Sequence, residues 1–207
     1  MQPRGLGRPK DLKKRQAILE AAKNLFLTLG YEGSSMDAIA QNAGVSKLTV
    51  YNHFHDKTQL FSAAIEMVCE QRLPKKYYEI GPDSNIENVL HDLGSAFLNM
   101  LYSKEAIELM RLMSSLVTSN VELVHLFYQS GPARTQQNMH NFFEQVRVLK
   151  LLDIENSQQC AELFLTLLTD CNYDRAIWQI IDLPTPEQLE ITLQQRLQIF
   201  FKLYPKI

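Results

Sequence analysis

Met36-Asp-Ala-Ile-Ala-Gln-Asn-Ala-Gly-Val-Ser-Lys-Leu-Thr-Val-Tyr-Asn-His-Phe54 is the stretch that decides the fold. It predicts two short helices, Met36 to Ala43 and Lys47 to His53, on either side of Gly44. Ser34 and Ser35 offer an N-cap for the first, Ser46 can cap the second, and Asp37 falls in a first turn, where a carboxylate meets the helix dipole. Ala40 is small where the two helices cross, and Gly44 is the permissive turn residue. Ile39, Ala43, Val45 and Val50 form the apolar set that pins the second helix to the first. The pattern is that of a helix-turn-helix.

Upstream, Ala17, Ile18, Ala21, Ala22, Leu25, Phe26 and Leu29 recur at helical spacing from Lys14 to Leu29, and Gly30 follows as a C-cap. Downstream, Asp56 with Gln59 resembles a capping box and opens a helix to about Gln71. Pro74 and Gly81-Pro82-Asp83-Ser84 mark a domain boundary. Beyond it, cap residues predict helices over about 84–101, 103–118, 120–149 (interrupted at Gly131-Pro132), 156–180 and 185–204. No segment alternates with period two for long enough to be a strand. The expectation is an all-α chain of about nine helices. Residues 12–72 form an N-terminal three-helix helix-turn-helix DNA-binding domain behind a flexible basic arm, 1–11. Residues 73–207 form a C-terminal helical bundle.

Composition excludes several classes. With 207 residues, 45% hydrophobic and 21% charged, the chain can bury a sizeable core. No run of about 18 apolar residues exists, so no membrane span is expected. The N-terminus has charge but no apolar stretch of a secretory signal, so the expected compartment is the cytoplasm. Three cysteines are too few and too scattered for a disulfide framework. The net charge of -2 hides an asymmetry. Residues 1–60 carry nine Lys/Arg against five acids, and the remainder twelve against eighteen. A basic leading segment on an acidic body points to a polyanion partner for the first part.

Val45-Ser-Lys-Leu-Thr-Val-Tyr-Asn-His-Phe54, with Asp56-Lys57 and Leu60-Phe61, resembles the signature of the TetR family of bacterial transcriptional regulators. The likeness includes Ala17-Ile18-Leu19, Ala21-Ala22, Phe26, Gly30-Tyr31, Ser34-Ser35-Met36 and Ile39-Ala40, and covers roughly residues 14–62. Leu48 departs from it, since many members have a small residue or Pro there, and this leaves operator preference open. The likeness of residues 74–207 is weaker, although Gly131-Pro132-Ala133-Arg134 and the long last two helices resemble one subclass. The resemblance implies a homodimeric regulator, a repressor that binds a palindromic DNA operator and is released by a small-molecule effector.

The chemistry of the short helix agrees. Lys47 can donate to guanine O6 and N7, or to phosphate, and Thr49 can meet a thymine methyl or a base edge. Tyr51 and His53 have polar tips suited to phosphate oxygens, and the resemblance places both at the DNA backbone. Lys57 adds a charge-assisted phosphate bond, and Ser35 with the N–H groups at its helix start can hold another phosphate. Leu48 and Asn52 complete the expected DNA-facing set. Arg4, Arg8, Lys10, Lys13, Lys14 and Arg15 add nonspecific affinity. Val50 and Phe54 read as core.

No catalytic constellation, phosphate loop or metal set has usable spacing, so neither an enzyme nor a cofactor is expected. His140 and Glu144 share a helical face, but two ligands do not make a metal site. Cys160 and Cys171 fall on one predicted helix, too far apart to bridge. In the second domain Phe97, Met100, Met110, Met113, Phe127, Phe143 and Trp178 are soft, bulky side chains of the kind that line an adaptable cavity. With Arg111, Asn138, His140 and Gln145 nearby, an apolar or aromatic effector is expected. The resemblance pairs the last two helices with their copies in a twofold dimer, through Leu163, Leu167, Leu193, Leu197 and Phe200.

Overall fold

The computed structural model describes residues 9–207, with side chains from residue 11 onward. The arm residues Arg4 and Arg8, and the side chain of Lys10, lie outside the described residues. The elements are α1 (Pro9–Gly33), α2 (Met36–Asn42), α3 (Lys47–His53), α4 (Lys57–Arg72), a 3-10 turn (Lys75–Tyr78), α5 (Ile86–Leu101), α6 (Lys104–Leu116), α7 (Val121–Ser130), α8 (Pro132–Val148), α9 (Ser157–Leu168), α10 (Cys171–Ile177) and α11 (Pro186–Leu203). No strand occurs among the described residues, and the all-α expectation holds. No helix among them is long and apolar enough to cross a membrane. The chain forms two compact units that divide between Val68 and Cys69, inside α4.

In the first unit, α1 carries a break at Gly30, whose φ of 72° an L side chain rarely adopts. Ser34 Oγ donates to the Gly30 carbonyl at 2.7 Å, which closes the turn into α2. The core is Ile18, Ala22, Phe26, Ile39, Val50, Phe54, Leu60 and Phe61, all nearly or fully buried. Phe26, Tyr31 and Phe61 form a ring triad with centroids 5.3–5.7 Å apart, a geometry aromatic pairs favour. α1 begins at Pro9, earlier than the apolar periodicity suggests. Pro at the start and Asp11 in the first turn suit a helix N-terminus.

The second unit packs α8 on α9, α5 on α11, and α9 on α11. Its centre is aromatic. Phe143, Phe164 and Phe200 lie 5.2–5.6 Å apart with none of the three more than 1% exposed. α5 approaches α11 closely at Gly94, where a Cβ would lie 2.6 Å from Leu193 Cδ1. Most helices open on the residues the sequence assigns. Ser103, Asn120 and Asn156 each accept from a backbone N–H three residues on. Thr185 and Gln188 form a complete capping box.

The helix expected over 156–180 is a correction. It ends at Leu168, and α10 starts afresh because Asp170 accepts from the Asn172 N–H at 2.9 Å. Asp170 is held in turn by Arg196 at 2.9 Å and by the Tyr102 hydroxyl at 3.5 Å. α10 ends early because the Arg111 guanidinium donates to the carbonyls of Ala176 and Ile177, at 2.7 and 2.5 Å. These are the orphan acceptors of a helix C-terminus. Cys160 and Cys171 therefore sit on different helices. Cys160 is buried, and burial pushes its thiol up to about 12, so it is protonated and inert.

Candidate nucleic-acid interface

α3 is a seven-residue helix, too short to persist alone. Three local devices hold it. The Ser46 hydroxyl accepts from the Thr49 N–H at 3.1 Å. Gly44 turns the chain at a φ of 65°, and the Val45 N–H donates to the Ala40 carbonyl at 3.0 Å. Val50 and Phe54 are then driven into the core, at 0% and 2% exposure. Once those two point inward, the 3.6-residue period turns Lys47, Leu48, Tyr51 and Asn52 outward, and all four are exposed. Leu48 is 70% exposed. An exposed apolar side chain of this kind is able to contact a thymine methyl in a major groove. Thr49 is half-buried, and its hydroxyl lies 2.8 Å from that of Ser46.

The basic groups are engaged within the unit. Lys47 Nζ lies 2.8 Å from Asp37 Oδ1 and donates to Oδ2 at 3.0 Å, a pair that joins α3 to α2. That hydrogen bond holds the ammonium above the ordinary lysine range, yet the side chain stays in solvent. Lys57 Nζ donates to the Tyr31 carbonyl at 2.9 Å and stands 4.1 Å from the centre of the Tyr31 ring. Tyr31 Oη lies 3.0 Å from Thr58 Oγ1, so the same tyrosine is tied to α4 at both ends. His53 is correspondingly inward. Its side chain is 13% exposed, and Nε2 lies 3.2 Å from Asp11 Oδ1 of α1. Arg15 stacks 4.9 Å from the centre of the Phe54 ring.

Lys47, Leu48, Tyr51 and Asn52 thus share the outer face of α3, Thr49 is partly covered beside them, and Ser35 is exposed at the start of α2. Ser35 Oγ is occupied by the Ala38 N–H at 3.1 Å. His53 and Lys57 flank this surface, each with an internal partner. The pairing of Asp37 with Lys47 and of Asp11 with His53 was missed by sequence reasoning. The two aspartates are 10 and 42 residues from their partners, and only helix crossing brings them there.

The second-unit expectations fare differently. Phe143 belongs to the aromatic centre, and Phe97 and Met113 are buried at 6% and 1%, so these three fill space that the cavity reading left open. Met100, Met110 and Phe127 are half-buried. Trp178 lies beyond the end of α10 and is 70% exposed, so it lines no interior. Leu193, Leu197 and Phe200 point into the protomer's own core, because α11 packs on α5 and α9 through them. They are not available to a partner. Leu163 and Leu167 are half-buried on α9, and the outward apolar residues of α11 are Ile191, Ile199 and Leu203.

Comparison with known proteins places this architecture. Residues 18–64 match the profile of the bacterial regulatory proteins of the tetR family, and residues 88–206 match the AefR-like transcriptional repressor C-terminal domain. The transcriptional activator FasR of Mycolicibacterium smegmatis is 41% identical over 63 residues, 30% of this chain and 28% of its own length. The first curated relatives are matched over only 28–34% of their lengths. Solved structures match over nearly the whole chain. A putative TetR-family regulator from Mesorhizobium loti aligns with a TM-score of 0.76 at 25% identity, covering 97% of this chain and 100% of that one. The flavonoid-responsive regulator FrrA aligns with a TM-score of 0.71 at 28% identity, covering 94% and 98%. A reading helix presented by a capped turn, with both halves matched by the family's profiles, leads to one conclusion: the chain belongs to the TetR family of bacterial transcriptional regulators, which are DNA-binding proteins and not enzymes.

Proposed function

We propose that the protein is a cytoplasmic repressor that binds a palindromic operator as a homodimer and is released by a small-molecule effector. The observation that carries this is the outer face of α3, where Lys47, Leu48, Tyr51 and Asn52 stand in solvent while Val50 and Phe54 anchor the helix from behind. Lys47, Leu48 and Thr49 read base edges. Ser35, Tyr51, Asn52 and Lys57 contact phosphates, and Lys57 does so from a perch fixed by Tyr31. His53 supports α3 through Asp11, so its contribution to phosphate binding is indirect. Repression is supported by the match to an AefR-like repressor domain, and effector control by the likeness to a flavonoid-responsive regulator.

A seven-residue reading helix buries little surface, and two half-sites about 34 Å or a multiple apart supply the affinity. The dimer uses Leu163 and Leu167 of α9 with Ile191, Ile199 and Leu203 of α11. α4 carries Lys57 at its start and Arg72 at its end, so a shift of α4 on effector binding moves the reading heads. Coupling of about 1–3 kcal/mol lowers operator affinity roughly 5–150-fold.

The test is footprinting on the DNA flanking the protein's own gene, followed by titration of the operator with wild type and Lys57→Ala. The expected footprint is a palindrome. Lys57→Ala weakens binding to all sequences and lowers the salt slope by about one. Protection of a non-palindromic site by a monomer, or an unchanged salt slope, overturns the reading.

A further inference from the structure

A groove of about 580 Å³ lies in the second unit, between the last turn of α4, the 3-10 turn and one face of α5. That volume falls within the range of small-molecule sites, about 300–1,000 Å³. It is not the aromatic interior that the sequence suggested; of the residues expected to line a cavity it shares Met100 alone. The floor is apolar, with Val89, Ala96 and Met100 packed on the core beneath.

Its lining carries two cations, Arg72 and Lys76, and two carboxylates, Glu79 and Asp92. Arg72 lies 3.5 Å from Glu105, in the first turn of α6, so it marks the end where α5 finishes. Both members of that pair are about half-exposed, which leaves the guanidinium free to exchange partners. Lys76 follows, 5.1 Å from the centre of the Tyr77 ring, and no ion pair to it occurs among the described residues. α5 supplies Asp92, whose 72% exposed carboxylate lies 3.6 Å from His91 Nδ1. Asp92 precedes Asn99, which lines the groove in the last turn of α5, by two helical turns, about 10 Å.

We propose that this groove binds an elongated bipolar small molecule of the ω-amino acid class. Its anionic group sits at Arg72 and Lys76, its apolar middle covers Ala96 and Met100, and its ammonium group meets Asp92 about 10 Å away. This names the effector chemistry of the regulator proposed above, and it rests on that reading only for the response at the operator.

The test is calorimetric titration of the full chain with 8-aminooctanoate, whose extended length suits that separation, and with octanoate and octylamine, each lacking one end. The bipolar probe is expected to bind at least about tenfold more tightly than either. Arg72→Gln reduces its affinity to that of octylamine, and Asp92→Asn to that of octanoate. Ala96→Trp, which fills the middle, removes binding of all three while the helical circular dichroism and its melt are retained. Equal binding of octanoate and 8-aminooctanoate overturns the proposal. So does binding indifferent to Arg72→Gln and Asp92→Asn, or no binding of 8-aminooctanoate up to about 10 mM. Operator affinity is measured separately. Groove-dependent binding that leaves operator affinity unchanged upholds the groove and overturns the effector reading instead.

Discussion

The two units keep their functional residues in opposite ways. In the first, the residues proposed to meet DNA stand on the outside of α3, and their exposure follows from the 3.6-residue helical period, two serine caps and two buried anchors. In the second, residues of similar apolar character divide between core, surface and groove with no local sign of which is which. Phe143 and Trp178 are both large aromatics on or beside helices, yet one is fully buried and the other is 70% exposed. A unit whose job is written on one short helix can be read locally. A bundle whose helices touch on several faces cannot.

The largest expected effect separates core from surface on α11. Phe200→Ala removes the hub of the Phe143–Phe164–Phe200 cluster and should cost about 3–5 kcal/mol in denaturant unfolding. Ile191→Glu with Leu203→Glu lies on the exposed side and should leave protomer stability within about 0.5 kcal/mol while yielding monomers in sedimentation. If Phe200→Ala were harmless and the surface pair unfolded the chain, the inside and outside of α11 would have to be exchanged.

Next comes the helix contact at Gly94. Gly94→Leu forces a side chain into Leu193, Phe164 and Leu168, and overpacking of this kind costs about 1–3 kcal/mol. A thermal melt that shows no loss would mean α5 and α11 can separate without penalty. The first unit offers a matching local test. Ser46→Ala deletes the cap of α3 and should destabilise that helix by about 1 kcal/mol, and operator affinity should fall although no DNA contact is removed. An unchanged binding isotherm would show that packing alone secures α3.

A smaller effect concerns Lys47. Asp37→Asn frees its ammonium from the carboxylate, so nonspecific DNA affinity should rise and the salt slope steepen by up to about one. A flatter slope would argue that Asp37 positions Lys47 for DNA instead of competing with it. The smallest effect is a pH dependence in the second unit. His91 Nε2 meets Glu190 Oε1 at 2.9 Å, joining α5 to α11. The hydrogen bond to Glu190 raises the imidazole above 6.5, and the same contact lowers the Glu190 carboxyl below 4.5. The histidine's contribution is fully present below 6.5 and lost as pH rises through its folded value. The carboxylate's is present above 4.5 and lost as pH falls through its folded value. Both groups are more than a third exposed, so solvent screening keeps the pair below about 1 kcal/mol. The melting temperature of wild type should exceed that of Glu190→Gln by most between pH 5 and 6, and the gap should close by pH 8.

Sequence alone determined the helical class, the short helix α3 and most of the capping residues. Each rests on interactions within about four residues: Ser46 with Thr49, Thr185 with Gln188, and the apolar period that buries Val50 and exposes Leu48. At Asp170 the local signal was present but overlooked: it caps α10 through the Asn172 N–H two residues on, and Arg196 and Tyr102, distant in the chain, then hold that carboxylate. Tertiary structure decided which side of α11 is inside, why α10 stops short of Trp178, how Asp11 and Asp37 occupy His53 and Lys47, and where the open groove lies. The physical reason is that burial and charge pairing are set by what crosses a helix, and a helix crossed on two faces gives its apolar residues no local mark of which neighbour they will meet.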